Sequence, residues 1–210
     1  MNPDNPDANN AAGAASSRHV QRMQRKKGVI DEQIRVAETR RGVLTVNTGT
    51  GKGKSTAAFG VVARALGHGF TVAVVQFVKS RSDTGEEEFF RRCPNVKWHV
   101  MGEGFTWETQ DRERDAGAAQ AAWAQARAYL GDAKIGLLVL DELTYAFKYG
   151  WLELDAVLDA LQHRPLQQHV VITGRGAPLA LIEAADTVSD MTMVKHAFKA
   201  GISAMPGMEF

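Results

Sequence analysis

The sequence predicts an α/β fold, a mostly parallel six-stranded sheet flanked by helices with a helical extension at its N-terminal side. From Arg41 onward, short β-branched runs alternate with helical stretches; a glycine-rich turn joins the first such run to the first of these helices; and a later apolar run ends in adjacent carboxylates. The 210 residues, 44% apolar and 23% charged, suit one buried core with appendages rather than two full domains.

Residues 1–17 are rich in Asn, Asp, Ala and Pro and hold little that offsets the entropy of ordering them, so a disordered tail is expected there. They carry neither the basic nor the apolar region of a signal peptide. Residues 18–41 read as a basic helix: Arg18, Arg22, Arg25, Lys26 and Lys27 lead into a broken apolar stripe of Val20, Met23, Ile30, Ile34 and Ala37. Such a weak face suits a solvated helix or one that docks conditionally, on a partner chain or over a site. Residues 42–210 then form one domain, with strands expected at 43–47, 71–77, 96–100, 135–140, 169–173 and 187–191. Crossover helices are expected at 55–66, 85–92, 111–130, 154–162 and 178–184. No internal repeat is present, which excludes solenoids and propellers.

Composition excludes several classes. Lys and Arg number 25 against 24 Asp and Glu, a formal charge of +1, too balanced for a protein built mainly to hold nucleic acid. Cys93 stands alone, so no intrachain disulfide and no multi-cysteine metal site can form; it reads as a small buried or half-buried side chain. The apolar runs are too brief to span a membrane, and the cytoplasm is the default location.

Chemistry is concentrated in Val43-Leu-Thr-Val-Asn-Thr-Gly-Thr-Gly-Lys-Gly-Lys-Ser-Thr56, a buried strand, a glycine-rich turn and the start of a helix. This order is that of a P-loop, and it makes the fold P-loop NTPase-like, of the RecA-like kind. Gly49, Gly51 and Gly53 let successive N–H groups face inward as a nest for phosphate oxygens, while the following helix turns its positive end to the same anion. Lys54 adds a mobile charge and Ser55 a hydroxyl for Mg²⁺, or Mn²⁺ in its place. The nucleotide-binding set is therefore Thr48, Gly49, Thr50, Gly51, Lys52, Gly53, Lys54, Ser55 and Thr56. The usual motif has its first glycine where Thr48 stands, with Gly49 one place late. A dinucleotide G-x-G-x-x-G reading fails because it needs glycine at Lys54.

The run Ile135-Gly-Leu-Leu-Val-Leu-Asp141-Glu142 has the form of a Walker B strand. In a parallel sheet the carboxyl ends of strands share one edge, so Asp141 and Glu142 emerge near the phosphate turn and complete a metal site that Ser55 begins. Thr173-Gly-Arg-Gly176 falls on the same edge, where Arg175 either contacts phosphate or lies on the surface.

Further segments narrow the class: Val75-Gln-Phe-Val-Lys79 with Gly85-Glu86; Gly102-Glu-Gly-Phe-Thr-Trp-Glu-Thr-Gln110; Leu140-Asp-Glu-Leu-Thr-Tyr145; Val171-Ile-Thr-Gly-Arg-Gly176; Ala185-Asp-Thr-Val-Ser189; Val194-Lys-His-Ala-Phe198; and Gly207-Met-Glu-Phe210. In this order they resemble the P-loop type of ATP:corrinoid adenosyltransferases, the cob(I)alamin or cob(I)yrinic acid a,c-diamide adenosyltransferases, from about Gln21 to Phe210. The late first glycine is similar to that family's own form of the loop. The resemblance implies transfer of the 5′-deoxyadenosyl group of ATP to Co(I) of a reduced corrinoid (cobalamin, cobinamide or cobyrinic acid a,c-diamide), with release of triphosphate. It implies Lys54, Phe105, Trp107 and Glu142 as catalytic residues, the aromatic pair packing under the corrin and displacing its axial ligand. A nucleotide reversed in the loop, a flavin-type reductant, a homodimer and an active-site cap at residues 18–41 are implied as well, with neither membrane nor nucleic acid as partner.

Outside that resemblance two readings stay open. A P-loop ATPase or small-molecule kinase would release orthophosphate or a phosphorylated product. A nucleic-acid-binding regulator would bind through Arg18–Lys27 in a salt-sensitive way.

Overall fold

In the computed structural model, residues 6–78, 84–101 and 112–209 are described, with side chains from residue 19. The chain divides into two units, residues 1–40 and 41–210. In the first, helix α1 runs Pro6–Val36. It begins inside the stretch where a disordered tail was expected, because Ala8, Ala11, Ala12, Ala14 and Ala15 are strong helix formers. Within it, Arg35 donates to Glu32 at 2.8 and 2.6 Å, and Lys27 lies 3.9 Å from Asp31, pairs at helical spacing.

The second unit has the expected six strands: β1 (Leu44–Thr48), β2 (Val72–Gln76), β3 (Val96–Val100), β4 (Leu137–Asp141), β5 (His169–Thr173) and β6 (Thr187–Asp190). All pair in parallel, in the order β3-β2-β4-β5-β1-β6. The helices are α2 (Lys54–Gly67), α3 (Gly85–Arg91), α4 (Arg112–Leu130), α5 (Thr144–Lys148), α6 (Leu154–Gln162) and α7 (Leu179–Ala184), followed by a 3₁₀ turn at Ala197–Ala200. The α/β expectation therefore holds, with strand ends moved by a residue or two. The run expected as strand at 135–140 starts pairing only at Leu137, because Ile135 N–H closes a turn on the Asp132 carbonyl. Helix α5 was not expected; its five residues are too few for a helical period to register.

Alternation along the strands builds two cores. On one face Ala73, Val75, Leu138, Leu140, Val170 and Ile172 meet Ala119, Ala122 and Ala126 of α4 with Val157 and Leu161 of α6. On the other, Val72, Val74, Leu137, Val139 and Val171 meet Ala58, Phe59 and Val62 of α2 and Phe90 of α3. A sheet covered on both faces is what makes β2 and β4 read as unbroken apolar runs. Trp98 stacks on Phe90 at 5.8 Å between centroids and fixes α3 to the β3 edge. Cys93 is half-buried, as expected.

The edge opposite the carboxyl ends is tied by backbone contact. Gly42 N–H donates to Leu166 O at 2.6 Å, and a Cβ on Gly42 would lie 2.0 Å from the Gln168 carbonyl oxygen. Gly42→Ala must push two backbone segments apart, so it is expected to cost about 3 kcal/mol, read as a lower denaturant midpoint at an unchanged slope.

Candidate functional site

The site begins where β1 ends. Thr48 is buried; its hydroxyl accepts from Ala177 N–H at 3.2 Å and its carbonyl accepts from Met191 N–H at 2.9 Å. The chain then turns through Gly49 at φ 99° and Gly53 at φ 106°, the left-handed region that a side chain rarely adopts. A Cβ on Gly49 would sit 2.2 Å from Asp190 Oδ1 and 2.5 Å from Met191 O, at the end of β6. This accounts for the glycine displaced by one place: the turn must both reverse here and lie against neighbouring backbone. Gly51 N–H donates to Met191 O at 2.6 Å, and Asn47 Nδ2 donates to Lys54 O at 3.2 Å, holding the first turn of α2 to β1. Thr50 and Thr56 are exposed.

Lys54 Nζ donates to the carbonyls of Gly49, at 2.9 Å, and Gly51. Its pKa is held below the usual lysine value, first by burial and then by the positive charge of Arg175, against the opposing pull of Glu142 and Asp190. An ammonium so placed is under-compensated, and a polyanion would relieve it. Lys52 pairs with Glu209 near the chain's C-terminal end.

Strand β5 lies between β1 and β4 and carries Thr173 to the same edge as Asp141 and Glu142. Asp141 is fully buried. Its Oδ2 accepts from Gln76 Nε2 at 2.9 Å and its Oδ1 from Thr173 Oγ1 at 2.7 Å. Glu142 comes next at φ 63°, the only non-glycine residue with positive φ among the described residues. Its N–H donates to Thr173 Oγ1 at 2.9 Å. A residue in that region is strained and persists only where its surroundings over-determine it, a pattern found at functional sites.

These elements surround a cavity of about 240 Å³ lined by Gly51, Lys52, Gly53, Lys54, Ser55, Thr56, Glu86, Glu142, Tyr145, Thr173, Gly174, Arg175, Met208 and Glu209. Lys54, Ser55, Glu142 and Arg175 are thus brought together. Asp141, expected beside Glu142 as a ligand, does not line the cavity and lies behind it. Phe105 and Trp107 fall outside the described residues. Sequence reasoning passed over Tyr145, Thr173 and Gln76, although a polar residue ending an apolar strand on the carboxylate edge was an available signal in both Gln76 and Thr173. Met208 and Glu209 belong to a segment that carries the resemblance, but their place beside the phosphate loop was not legible in sequence, since only folding returns them to it.

The donors facing the cavity from Ser55 and Glu142 are all oxygen, which suits a hard dication such as Mg²⁺. No group of three His, Cys, Asp or Glu side chains among the described residues is placed to hold a metal ion, so a metal here would draw further ligands from phosphate oxygens.

A sequence model of the family described as ATP:corrinoid adenosyltransferase BtuR/CobO/CobP matches residues 40–210. The chain is 61% identical over 202 residues to a corrinoid adenosyltransferase of Pseudomonas aeruginosa, spanning 96% of this chain and 100% of that one. It is 45% identical over 196 residues to a corrinoid adenosyltransferase of Escherichia coli K12, and equally to the corrinoid adenosyltransferase CobA of Salmonella typhimurium, in each case spanning 93% of this chain and 100% of the other.

Proposed function

The chain belongs to the ATP:corrinoid adenosyltransferase family, so it moves the adenosyl group of ATP to a corrinoid, and on that premise we propose which of its residues perform each part of the transfer. The supporting observation is the convergence of Lys54, Ser55, Glu142 and Arg175 on one cavity beside a glycine nest.

The reaction is an alkylation. Co(I) supplies an electron pair to the ribose C5′, a cobalt–carbon bond forms, the C5′–O5′ bond breaks, and its electron pair departs on triphosphate. Such a nucleophile needs no general base. The protein's tasks are to align cobalt with C5′, to stabilise charge gathering on the leaving group, and to exclude water. The amides of the loop other than that of Gly51, which donates to Met191 O, serve the leaving triphosphate together with the Lys54 ammonium, and Arg175 adds a second cation from across the cavity. Ser55 and Glu142 would hold Mg²⁺, or Mn²⁺, which when bound supplies further positive charge to the triphosphate. A nucleotide reversed in the loop leaves C5′ pointing outward.

In this reading Phe105 and Trp107 pack beneath the corrin and remove its lower axial ligand, which makes Co(II) easier to reduce by a flavin-type donor. Residues 18–41 serve as the cap, and the protein works in the cytoplasm as a homodimer, with no membrane or nucleic acid among its partners. No helix among the described residues is long and apolar enough to cross a membrane.

The test mixes the protein with Mg-ATP and a chemically reduced corrinoid, follows the cobalt absorbance and identifies the phosphate product. Triphosphate is expected; orthophosphate or a phosphorylated corrinoid would point instead to an ATPase or kinase. Trp107→Ala is expected to slow turnover from Co(II) at least about tenfold more than turnover from pre-reduced Co(I). Equal losses in the two assays would remove the axial-ligand role.

A further inference from the structure

Four hydrogen bonds cross the carboxyl edge of the sheet in series. Trp98 Nε1 on β3 donates to Gln76 Oε1 on β2 at 3.1 Å. Gln76 Nε2 donates to Asp141 Oδ2 on β4 at 2.9 Å, Thr173 Oγ1 on β5 donates to Asp141 Oδ1 at 2.7 Å, and Glu142 N–H donates to Thr173 Oγ1 at 2.9 Å. Gln76, Asp141 and Thr173 are each at most 1% exposed.

The chemistry of the two ends dictates every direction in this series. An indole N–H only donates, so Gln76 must turn its carbonyl to Trp98 and its NH₂ to Asp141. A backbone N–H likewise only donates, so the Thr173 oxygen accepts from Glu142 and its own proton goes to Asp141. Asp141 receives from both sides and is the acceptor on which the series closes. Turning the Gln76 amide or the Thr173 hydroxyl would bring two donors face to face inside a buried site, which is costly.

We propose that Asp141 is a positioning residue: it orients the Thr173 hydroxyl, which holds the Glu142 backbone at φ 63° and thereby aims the Glu142 carboxylate at the phosphate cavity. The Glu142 conformation is unfavourable for a side chain bearing a Cβ, and the Thr173 bond is an observed contact that offsets it. Gln76 fixes the other oxygen of Asp141, so the Asp141 carboxylate has one orientation. Outer partners of a metal-facing carboxylate typically change metal affinity by 10–100-fold when removed. The inference rests on the assignment of Glu142 to Mg²⁺ made above.

Calorimetric titration of ATP into the full chain, at a series of Mg²⁺ concentrations and in EDTA, tests it. Thr173→Val is expected to raise the Mg²⁺ concentration giving half the full ATP affinity by about tenfold or more. Thr173→Ser, which keeps the hydroxyl, restores the native dependence. Because Thr173 also lines the cavity, each variant is compared with its own affinity in EDTA, so that any direct effect on ATP divides out. A native Mg²⁺ dependence in Thr173→Val, a Thr173→Ser that behaves like it, or a loss of equal size in EDTA would overturn the proposal. Should Thr173→Val not fold, Thr173→Ala removes the same hydroxyl without added bulk and carries the same expectation. Glu142→Gln is the control: no shift there overturns the assignment of Glu142 itself, whereas a shift there without one in Thr173→Val overturns only the positioning role.

Discussion

Lys54→Ala is expected to lower the rate of adenosyl transfer by about 10³-fold while leaving the fold intact. The loss follows from where the charge sits. Triphosphate leaves with more negative charge than it carries as part of ATP, and a preorganised cation at the nest meets that increment without reorganising. The Nζ already lies between the Gly49 and Gly51 carbonyls, so its position does not depend on ATP. The substitution is expected to leave stability within about 1 kcal/mol of native. A lysine whose pKa is lowered by burial holds its charge at a cost in the ligand-free protein, so deleting it removes a penalty together with two hydrogen bonds to carbonyls. The checks are single-turnover rates from pre-reduced corrinoid and a thermal midpoint. Retention of more than about a tenth of the native rate would show that the amides and Arg175 alone stabilise the leaving group.

Glu142→Gln is expected to reduce turnover by about 10²-fold at limiting Mg²⁺, with partial recovery as the metal is raised. Glutamine keeps the shape and removes the charge, so the Thr173 bond to the residue-142 amide survives and the backbone has no reason to leave φ 63°. The change therefore isolates the carboxylate. In the native protein, EDTA is expected to produce a loss at least as large, and Mg²⁺ or Mn²⁺ to reverse it. An unchanged Mg²⁺ dependence in the variant would take Glu142 out of the metal shell, leaving Ser55 and phosphate oxygens to hold the dication.

Most of the fold was legible in the sequence because a parallel sheet buried on both faces writes itself as apolar runs. Val72–Gln76 and Leu137–Asp141 are wholly buried and were visible as strands for that reason. Thr187–Asp190 is exposed throughout, and its β-branched pair Thr187 and Val188 was enough to mark it. What the sequence did not show was helix α5, whose five residues are too few to register a period.

The phosphate turn, too, is a local matter: Gly49, Gly51, Gly53, Lys54 and Ser55 are contiguous, and the angles and charges that make a nest belong to those residues in that order. Contiguity is also why Asp141 and Glu142 read alike as metal ligands. The structure separates them through partners remote in the chain. Gln76, 65 positions away, and Thr173, 32 positions away, bind the oxygens of Asp141, and Thr173 holds the backbone of Glu142. Adjacent residues of a strand point to opposite faces, and a hydrogen bond requires its partner within about 3 Å. A motif can therefore bring a carboxylate to an edge, but the strands packed beside it decide which way that carboxylate faces.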